Sequence, residues 1–255
     1  MDHDAGISKK KRTIIVGASR GIGAALAKKL AEQGHQLVLL SRSEDDLKAI
    51  CLYINLKYGQ GRAEYRIHDV LDTGKVRGLL GDAISQLGGL DNLIFVSGIL
   101  HIVNWREFEL EKELQMLEVN LLGGVAWIGT VAEYFKKQGS GLIVGVSSVA
   151  GDRGRAGNPA YNTSKAGLST YLESLRNRLY TYGVRVLTVK PGYVDTKMVA
   201  GIPGMFGVAT TEKTAEDIWR AMQRKKQVLY TPWWWRHILF IVKHVPSAIF
   251  RRVKL

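Results

Sequence analysis

The sequence predicts an α/β fold: a single doubly wound parallel sheet with helices on both faces, plus an amphipathic helix at the C-terminal end. Three observations lead there. Short apolar, β-branched runs alternate with longer helical patterns through residues 12–200. Most of those runs are apolar on both faces, as in strands covered from two sides. The first run ends in a turn carrying Gly17, Gly21 and Gly23 and leads into a helical pattern, the order of a dinucleotide-binding strand–turn–helix unit.

Residues 13–16 form a short buried strand that stops at Gly17. Residues 22–31 follow as a helix, ended by Gly34. The second strand covers 36–41, with Leu37, Val38, Leu39 and Leu40 at its centre. A helix over 44–58, a third strand over 63–67, a helix over 74–87 and a fourth strand over 92–96 come next. A long helix spans 112–134, a fifth strand 141–146, another long helix 161–180 and a sixth strand 185–189. No repeat or low-complexity linker interrupts the alternation. One catalytic domain over 12–230 is expected, with a basic tail over 1–11 and a basic amphipathic segment over 231–255.

The chain has 255 residues, 46% hydrophobic and 23% charged, ample for one domain with a proper core. Its one cysteine, Cys51, excludes an internal disulfide and suits a reducing compartment, so a cytoplasmic location is expected. Residues 1–12 are polar and end in Lys9, Lys10, Lys11 and Arg12, without the apolar stretch of a signal peptide. The net charge is +13, and no acidic residue follows Asp217. Such a field seeks an anionic partner. No cluster of His, Cys and carboxylate has metal-ligand spacing, so no metal is expected. His101, after the fourth strand, is expected as a surface or core histidine.

The glycine turn points to a phosphate. Glycines there permit a tight turn and a close backbone approach, and the helix start offers free N–H groups and a positive dipole end. Ser19, Arg20 and Ile22 share that loop. The second strand ends in Ser41 and Arg42, with no acid there to bond a ribose. Arg20 and Arg42 together suit a 2′-phosphate, which favours NADP(H) over NAD. Asp69, beside Val70 after the third strand, is a candidate partner for the adenine amine.

A second constellation lies downstream. Tyr161 and Lys165 are four residues apart, one helical turn on one face. An ammonium beside a phenol favours phenolate, so the Tyr161 pKa is expected to fall toward neutrality. A tyrosine tuned in that way passes protons to or from a carbonyl or alcohol oxygen. Ser147 and Ser148 stand just upstream.

These residues, in this order, resemble the short-chain dehydrogenase/reductase family over roughly residues 12–200, with its Rossmann-like fold. Gly17, Gly21 and Gly23 match its glycine motif, Asn120 its helix-borne asparagine, and Ser148 its serine better than Ser147 does. Tyr161 and Lys165 match its catalytic pair. Pro191 and Gly192, with Val194 and Thr196, match the segment over the nicotinamide. The resemblance implies that Ser148 bonds the substrate carbonyl and Tyr161 gives the proton. Lys165 would hold the nicotinamide ribose, and Asn120 would anchor a water that relays protons. Two departures stand out: Val16 precedes the first glycine in place of threonine, and Phe95, Val96, Ser97 and Gly98 replace the usual Asn-Asn-Ala-Gly. Ser97 and Gly98 remain candidate cofactor contacts.

The segments 228–252, 95–98 and 147–155 are further similar to one branch of that family, the decaprenylphosphoryl-2-keto-pentose reductases. That branch reduces a ketosugar carried on a polyprenyl phosphate, made by a flavin oxidase partner. The resemblance implies a lipid-linked carbonyl substrate, and family members are commonly homo-oligomers. Another hydrophobic carbonyl, a 3-ketoacyl chain or sterol-like ketone, and a non-catalytic nucleotide-binding scaffold are the alternatives. Asn120, Ser148, Tyr161 and Lys165 together disfavour the scaffold.

Pro232 and Pro246 bracket a tryptophan-rich segment. Helical spacing places residues 234, 238, 241, 242 and 245 on one face and Arg236, His237, Lys243 and His244 opposite, with Phe240 as an exception. The segment is too short to span a bilayer. It is expected to lie in the interface of an anionic membrane, at the inner face of the cell membrane, or else to pack on the enzyme's own core or a subunit. No base-reading module is visible, so nucleic acid is not an expected partner. Residues 197–211 are expected as a mobile loop over the substrate.

Overall fold

The computed structural model describes residues 10–103, 108–199 and 204–252. Seven strands build one sheet: β1 (Arg12–Val16), β2 (Gln36–Ser41), β3 (Ala63–Ile67), β4 (Asn92–Phe95), β5 (Gly141–Val146), β6 (Val184–Pro191) and β7 (Val228–Thr231). Their order is β3-β2-β1-β4-β5-β6-β7, and all neighbours run parallel. The expected α/β sheet is therefore present. The central strands are apolar on both faces because both are covered.

One face carries α1 (Gly21–Glu32), α2 (Glu44–Tyr58) and α7 (Thr211–Gln223) over Ile15, Leu37, Leu39, Ile94 and Leu187. The other carries α3 (Val76–Leu87), α5 (Gly123–Gln138) and α6 (Pro159–Leu179) over Ile14, Val38, Phe95 and Ile143. Trp127 and Phe135 of α5 are fully buried there; each contributes roughly 2–3 kcal/mol relative to exposure. The helical run Leu110–Gln138 is long and apolar enough to cross a bilayer by length and composition alone, yet its Trp127, Ile128, Val131 and Phe135 are spent on the sheet.

The structure refines several expectations. The helix expected over 112–134 runs from α4 (Leu110–Leu117) through a wide π-helical turn (Glu118–Leu122) into α5. The turn carries Asn120. Helix α7 and strand β7 extend the sheet beyond the six expected strands. Helix α7 turns Thr214, Ala215, Ile218, Ala221 and Met222 inward and its charged residues outward. Of the basic tail, residues 1–9 lie outside the described residues; Arg12 is the first residue of β1, its Nε 3.0 Å from Asp91 Oδ2.

β1 pairs with β2 on one side and β4 on the other. The chain's progression reverses there, which opens a crevice beyond the strand C-termini.

Candidate active site

A cleft of about 900 Å³ lies at that crevice. Of the candidate catalytic and cofactor-binding residues, all but Gly23 and Asn120 line it. Backbone contacts explain two of the glycines. Gly17 has φ +94°, and a Cβ there would come within 2.5 Å of the Ser97 nitrogen. A Cβ on Gly23 would sit 2.1 Å from the Gly17 carbonyl oxygen, so Gly23 acts behind the loop, where α1 meets it. Val96 and Ser97 both donate their backbone N–H to the Val16 carbonyl, at 2.8 and 3.1 Å. The altered segment after β4 is thus held to β1 by its backbone. The loop at the N-terminus of α1 fits a dinucleotide pyrophosphate.

At the far edge of the cleft, Arg20 Nε lies 2.6 Å from Asp46 Oδ2, and Arg42 Nη1 lies 3.8 Å from Asp69 Oδ2. Asp46 was not singled out from the sequence. It stands in the first turn of α2 rather than at the end of β2, and it lines the cleft. Bonds from Ser43 and Arg20 hold its carboxyl below the ordinary range. β2 itself ends at Ser41, followed by Arg42, with no acid, and the carboxylate at this edge comes instead from α2, beside both arginines.

The catalytic candidates converge at the other end. Ser147 is committed to structure: its Oγ donates to the Lys165 carbonyl at 2.8 Å and lies 2.7 Å from Ser169 Oγ. Ser148 caps the turn Val149–Asp152, its Oγ accepting from the Ala150 nitrogen at 3.1 Å. Its hydroxyl also hydrogen-bonds the Tyr161 phenol. Tyr161 and Lys165 follow on the first turns of α6. Lys165 Nζ donates to the Val146 carbonyl at 3.2 Å and sits 5.8 Å from the centre of the Tyr161 ring. Asn120 is fully buried. Its Oδ1 accepts from Ile99 N at 2.7 Å, and its Nδ2 donates to the Ile99 carbonyl and Ser164 Oγ at 2.9 and 3.2 Å. Both amide hydrogens are used, so the side chain ties the segment after β4 to α6. His101, expected as a surface or core residue, places Nε2 2.6 Å from Gln115 Oε1.

The expected fall in the Tyr161 pKa is not observed. Burial raises it, while a Ser148 hydrogen bond and the Arg155 charge pull down without prevailing. The phenol is thus held protonated, the form that donates a proton. Burial also lowers the Lys165 pKa to about 8. The unfolded chain then binds the proton more tightly than the folded one. The folded state carries the full penalty below pH 8, and stability rises as pH climbs from 8 toward the ordinary lysine value of about 10.5. Lys165→Met is expected to be more stable than wild type by about 2–4 kcal/mol at pH 7. Urea titrations at pH 7 and pH 9.5 should show that gap narrowing; a constant gap contradicts the assignment.

The segment after β6 is pinned rather than open, in its described part. Val194 bridges to Ala209, and Phe206 stacks on Trp234 with ring centres 5.9 Å apart. Residues 200–203 of the expected mobile loop lie outside the described residues. The tail forms α8 (Trp235–His244) and a final turn, α9 (Ser247–Phe250). Its packing face differs from the expected one. Trp235 and Leu239 are buried against Val149, flanked by Trp234, Ile238 and Val242, whereas Ile241 faces out beside Phe240. The expected face counted Ile241 and left out Trp235 and Leu239, because helical spacing alone cannot tell which edge of a mostly apolar helix meets the domain.

Comparisons with known proteins accord with this geometry. The family model for short chain dehydrogenases matches residues 11–205. A ketoacyl reductase of Nostoc sp. is 31% identical over 222 residues, covering 84% of this chain and 76% of that protein. The cis-4-hydroxycyclohexanecarboxylate dehydrogenase of Sinomonas cyclohexanicum is 34% identical over 194 residues, covering 74% and 76%. Among solved structures, the alcohol dehydrogenase of the archaeon Thermococcus sibiricus, complexed with 5-hydroxy-NADP, gives a TM-score of 0.78 at 26% identity, covering 87% of this chain and 96% of that one.

Proposed function

This chain belongs to the short-chain dehydrogenase family and is a nicotinamide-dependent oxidoreductase acting on CH–OH groups, and from that premise we propose that it uses NADP(H) to reduce the ketone of a lipid-linked ketosugar, a polyprenyl-phosphoryl pentose, at a membrane surface. A bound nicotinamide supplies hydride to the carbonyl carbon. The chain's own residues do the rest. The Gly17–Gly21 loop and α1 N-terminus hold the pyrophosphate, and Ser41, Arg42, Asp69 and Val70 flank the adenosine. Ser148, whose Oγ already accepts from Ala150, donates its hydroxyl hydrogen to the ketone oxygen. Tyr161, kept protonated by burial, delivers its proton to that oxygen. Lys165 holds the ribose beside Pro191 and Gly192. With both Asn120 amide hydrogens used, a relay water there would rest on the remaining Oδ1 lone pair or a backbone carbonyl.

The NADP(H) preference is supported by Arg20 and Arg42, and by the NADP derivative named with the archaeal relative. Asp46 engages Arg20 only through Nε, which leaves the Nη groups for a 2′-phosphate but sets a carboxylate charge near it. Arg42→Ala is expected to weaken NADPH binding by roughly tenfold to a hundredfold, the worth of one charged hydrogen bond. Asp46→Asn is expected to tighten it. Fluorescence titration with NADPH and NADH checks both, and equal affinity for the two cofactors in wild type contradicts the preference.

The observation that carries the lipid reading is the outer surface of the tail. Trp233, Phe240, Ile241 and Ile249 are 72%, 66%, 67% and 57% exposed, and Arg236, Arg251 and Arg252 lie among them. Apolar and cationic side chains together suit the interface of an anionic bilayer. Through Trp234 the same helix touches Phe206 of the segment beside the cleft. Phe240→Ser with Ile241→Ser should abolish sedimentation with phosphatidylglycerol vesicles while leaving reduction of a soluble ketone intact; unchanged sedimentation contradicts the membrane contact. On this reading the protein works at the cytoplasmic face of the membrane and a flavin oxidase supplies the ketone. Exposed Leu110, Leu114 and Leu122 on the α4–α5 helix are where a homo-oligomer would form. The Nostoc ketoacyl reductase favours a second reading, a 3-ketoacyl chain as substrate.

A further inference from the structure

Two walls of the cleft lean on the tail. One is the end of β6. A Cβ placed on Gly192 would fall 1.7 Å from Trp235 Nε1, so that backbone lies directly against the indole. The other is the Ser148 turn. Val149, next to Ser148, packs on Trp235 and Leu239. Arg153, just past the turn, donates from Nη1 to the carbonyls of Val242, Lys243 and Val245, the latter two at 3.3 and 2.7 Å. Carbonyls at a helix C-terminus lack partners within the helix, and Arg153 supplies one. Its guanidinium also lies 3.8 Å from the centre of the Phe250 ring.

Asp152 completes the link. Its side chain is 1% exposed. It accepts from Tyr230 Oη of β7 at 2.7 Å and from Lys190 Nζ at 2.5 Å, with Lys243 Nζ 3.5 Å away. Lys190 directly precedes Pro191. One carboxylate therefore joins the serine turn, the end of β6 and the tail.

We propose that α8 is a structural wall of the active site, and that Arg153 and Asp152 are positioning residues which set Ser148 relative to the Pro191–Gly192 platform. The turn they hold is only four residues long, Val149–Asp152, so a shift at its far end reaches Ser148 almost undamped. The inner face of the tail serves this role, and the outer face is left free for the membrane.

The inference rests on the reading of Ser148 and Tyr161 as the reacting pair, and its test separates the two. NADPH oxidation is followed with a soluble cyclic ketone for Arg153→Ala, Arg153→Lys and Tyr230→Phe, with Tyr161→Phe alongside. Arg153→Ala should lower kcat roughly tenfold to a hundredfold, the effect of misplacement by about 1 Å. NADPH affinity and vesicle binding should stay at wild type, because the glycine loop and the outer face are untouched. Arg153→Lys should restore part of the rate. Tyr230→Phe keeps the ring and removes one bond to Asp152, so a smaller fall in kcat is expected, and this variant decides if Arg153→Ala does not fold. Wild-type kcat in folded Arg153→Ala or in Tyr230→Phe, or a parallel loss of kcat and NADPH affinity, would overturn the proposal. If Tyr161→Phe keeps its turnover, the reading of the reacting pair fails instead.

Discussion

Tyr161→Phe lowers ketone reduction by about two to four orders of magnitude, the range for removing a positioned general acid, and leaves NADPH affinity near wild type. The ring remains in place and only the acidic hydrogen is lost. That hydrogen is the group burial protects: the phenol pKa is raised above its ordinary value by desolvation. Reduction consumes the protonated form, so its rate should hold steady through neutral pH and fall only on the alkaline side. The reverse oxidation needs a proton acceptor and should quicken with rising pH. The check is kcat for both directions from pH 6 to pH 10, with NADPH titrations on the variant. Near wild-type turnover in Tyr161→Phe removes the basis of the proposed chemistry.

The second large effect is expected from Gly17→Ala. At φ +94° the new side chain meets both an unfavourable backbone region and the Ser97 backbone at 2.5 Å. Neither the end of β1 nor the segment after β4 can give way cheaply, because Val96 and Ser97 share the Val16 carbonyl. Strain of this kind costs on the order of 1–3 kcal/mol, and any relief moves the loop that faces the phosphates. NADPH affinity should fall by at least about a hundredfold, since hydrogen bonds to a charged group contribute about 1.5–3 kcal/mol each. Gly34→Ala is the matched control. Gly34 also has positive φ, +84°, but nothing lies within 4 Å of its Cβ position. It should lose some stability and no cofactor affinity. Thermal melts with NADPH titrations check the pair. Equal losses of affinity in both variants would mean that the close approach at Gly17 is not what shapes the cradle.

Much of this architecture was legible in the sequence because local pattern and global fold agree. Strands apolar on both faces, such as 37–40 and 141–146, require cover on both sides, and the glycine turn after β1 has little other use. Tyr161 and Lys165 could be paired because one helical turn brings them to one face, and Ser148 was told from Ser147 by the family resemblance. Features set by long-range packing were not legible. The Tyr161 pKa depends on how deeply the fold buries the phenol, which spacing does not encode. Asp46 reaches Arg20 only because α1 and α2 begin side by side. The inward face of α8 is chosen by Val149 and Gly192, more than forty residues away in sequence, so helical periodicity alone drew it one edge off. Asp152 and Arg153 carried no signal of their own, since an acid and a base side by side in a loop usually face water.

The proposed hydride transfer to a lipid-borne ketone can be followed by isotope. The most direct measurement supplies NADPH carrying deuterium at the transferring carbon, together with a polyprenyl-phosphoryl ketopentose in phosphatidylglycerol vesicles, and locates the label by mass spectrometry. One deuterium is expected on the carbinol carbon of the product, its rate of appearance lowered about two to four orders of magnitude with Tyr161→Phe and strongly reduced with Phe240→Ser and Ile241→Ser. Unlabelled lipid alongside brisk oxidation of NADPH by a soluble ketone would contradict it.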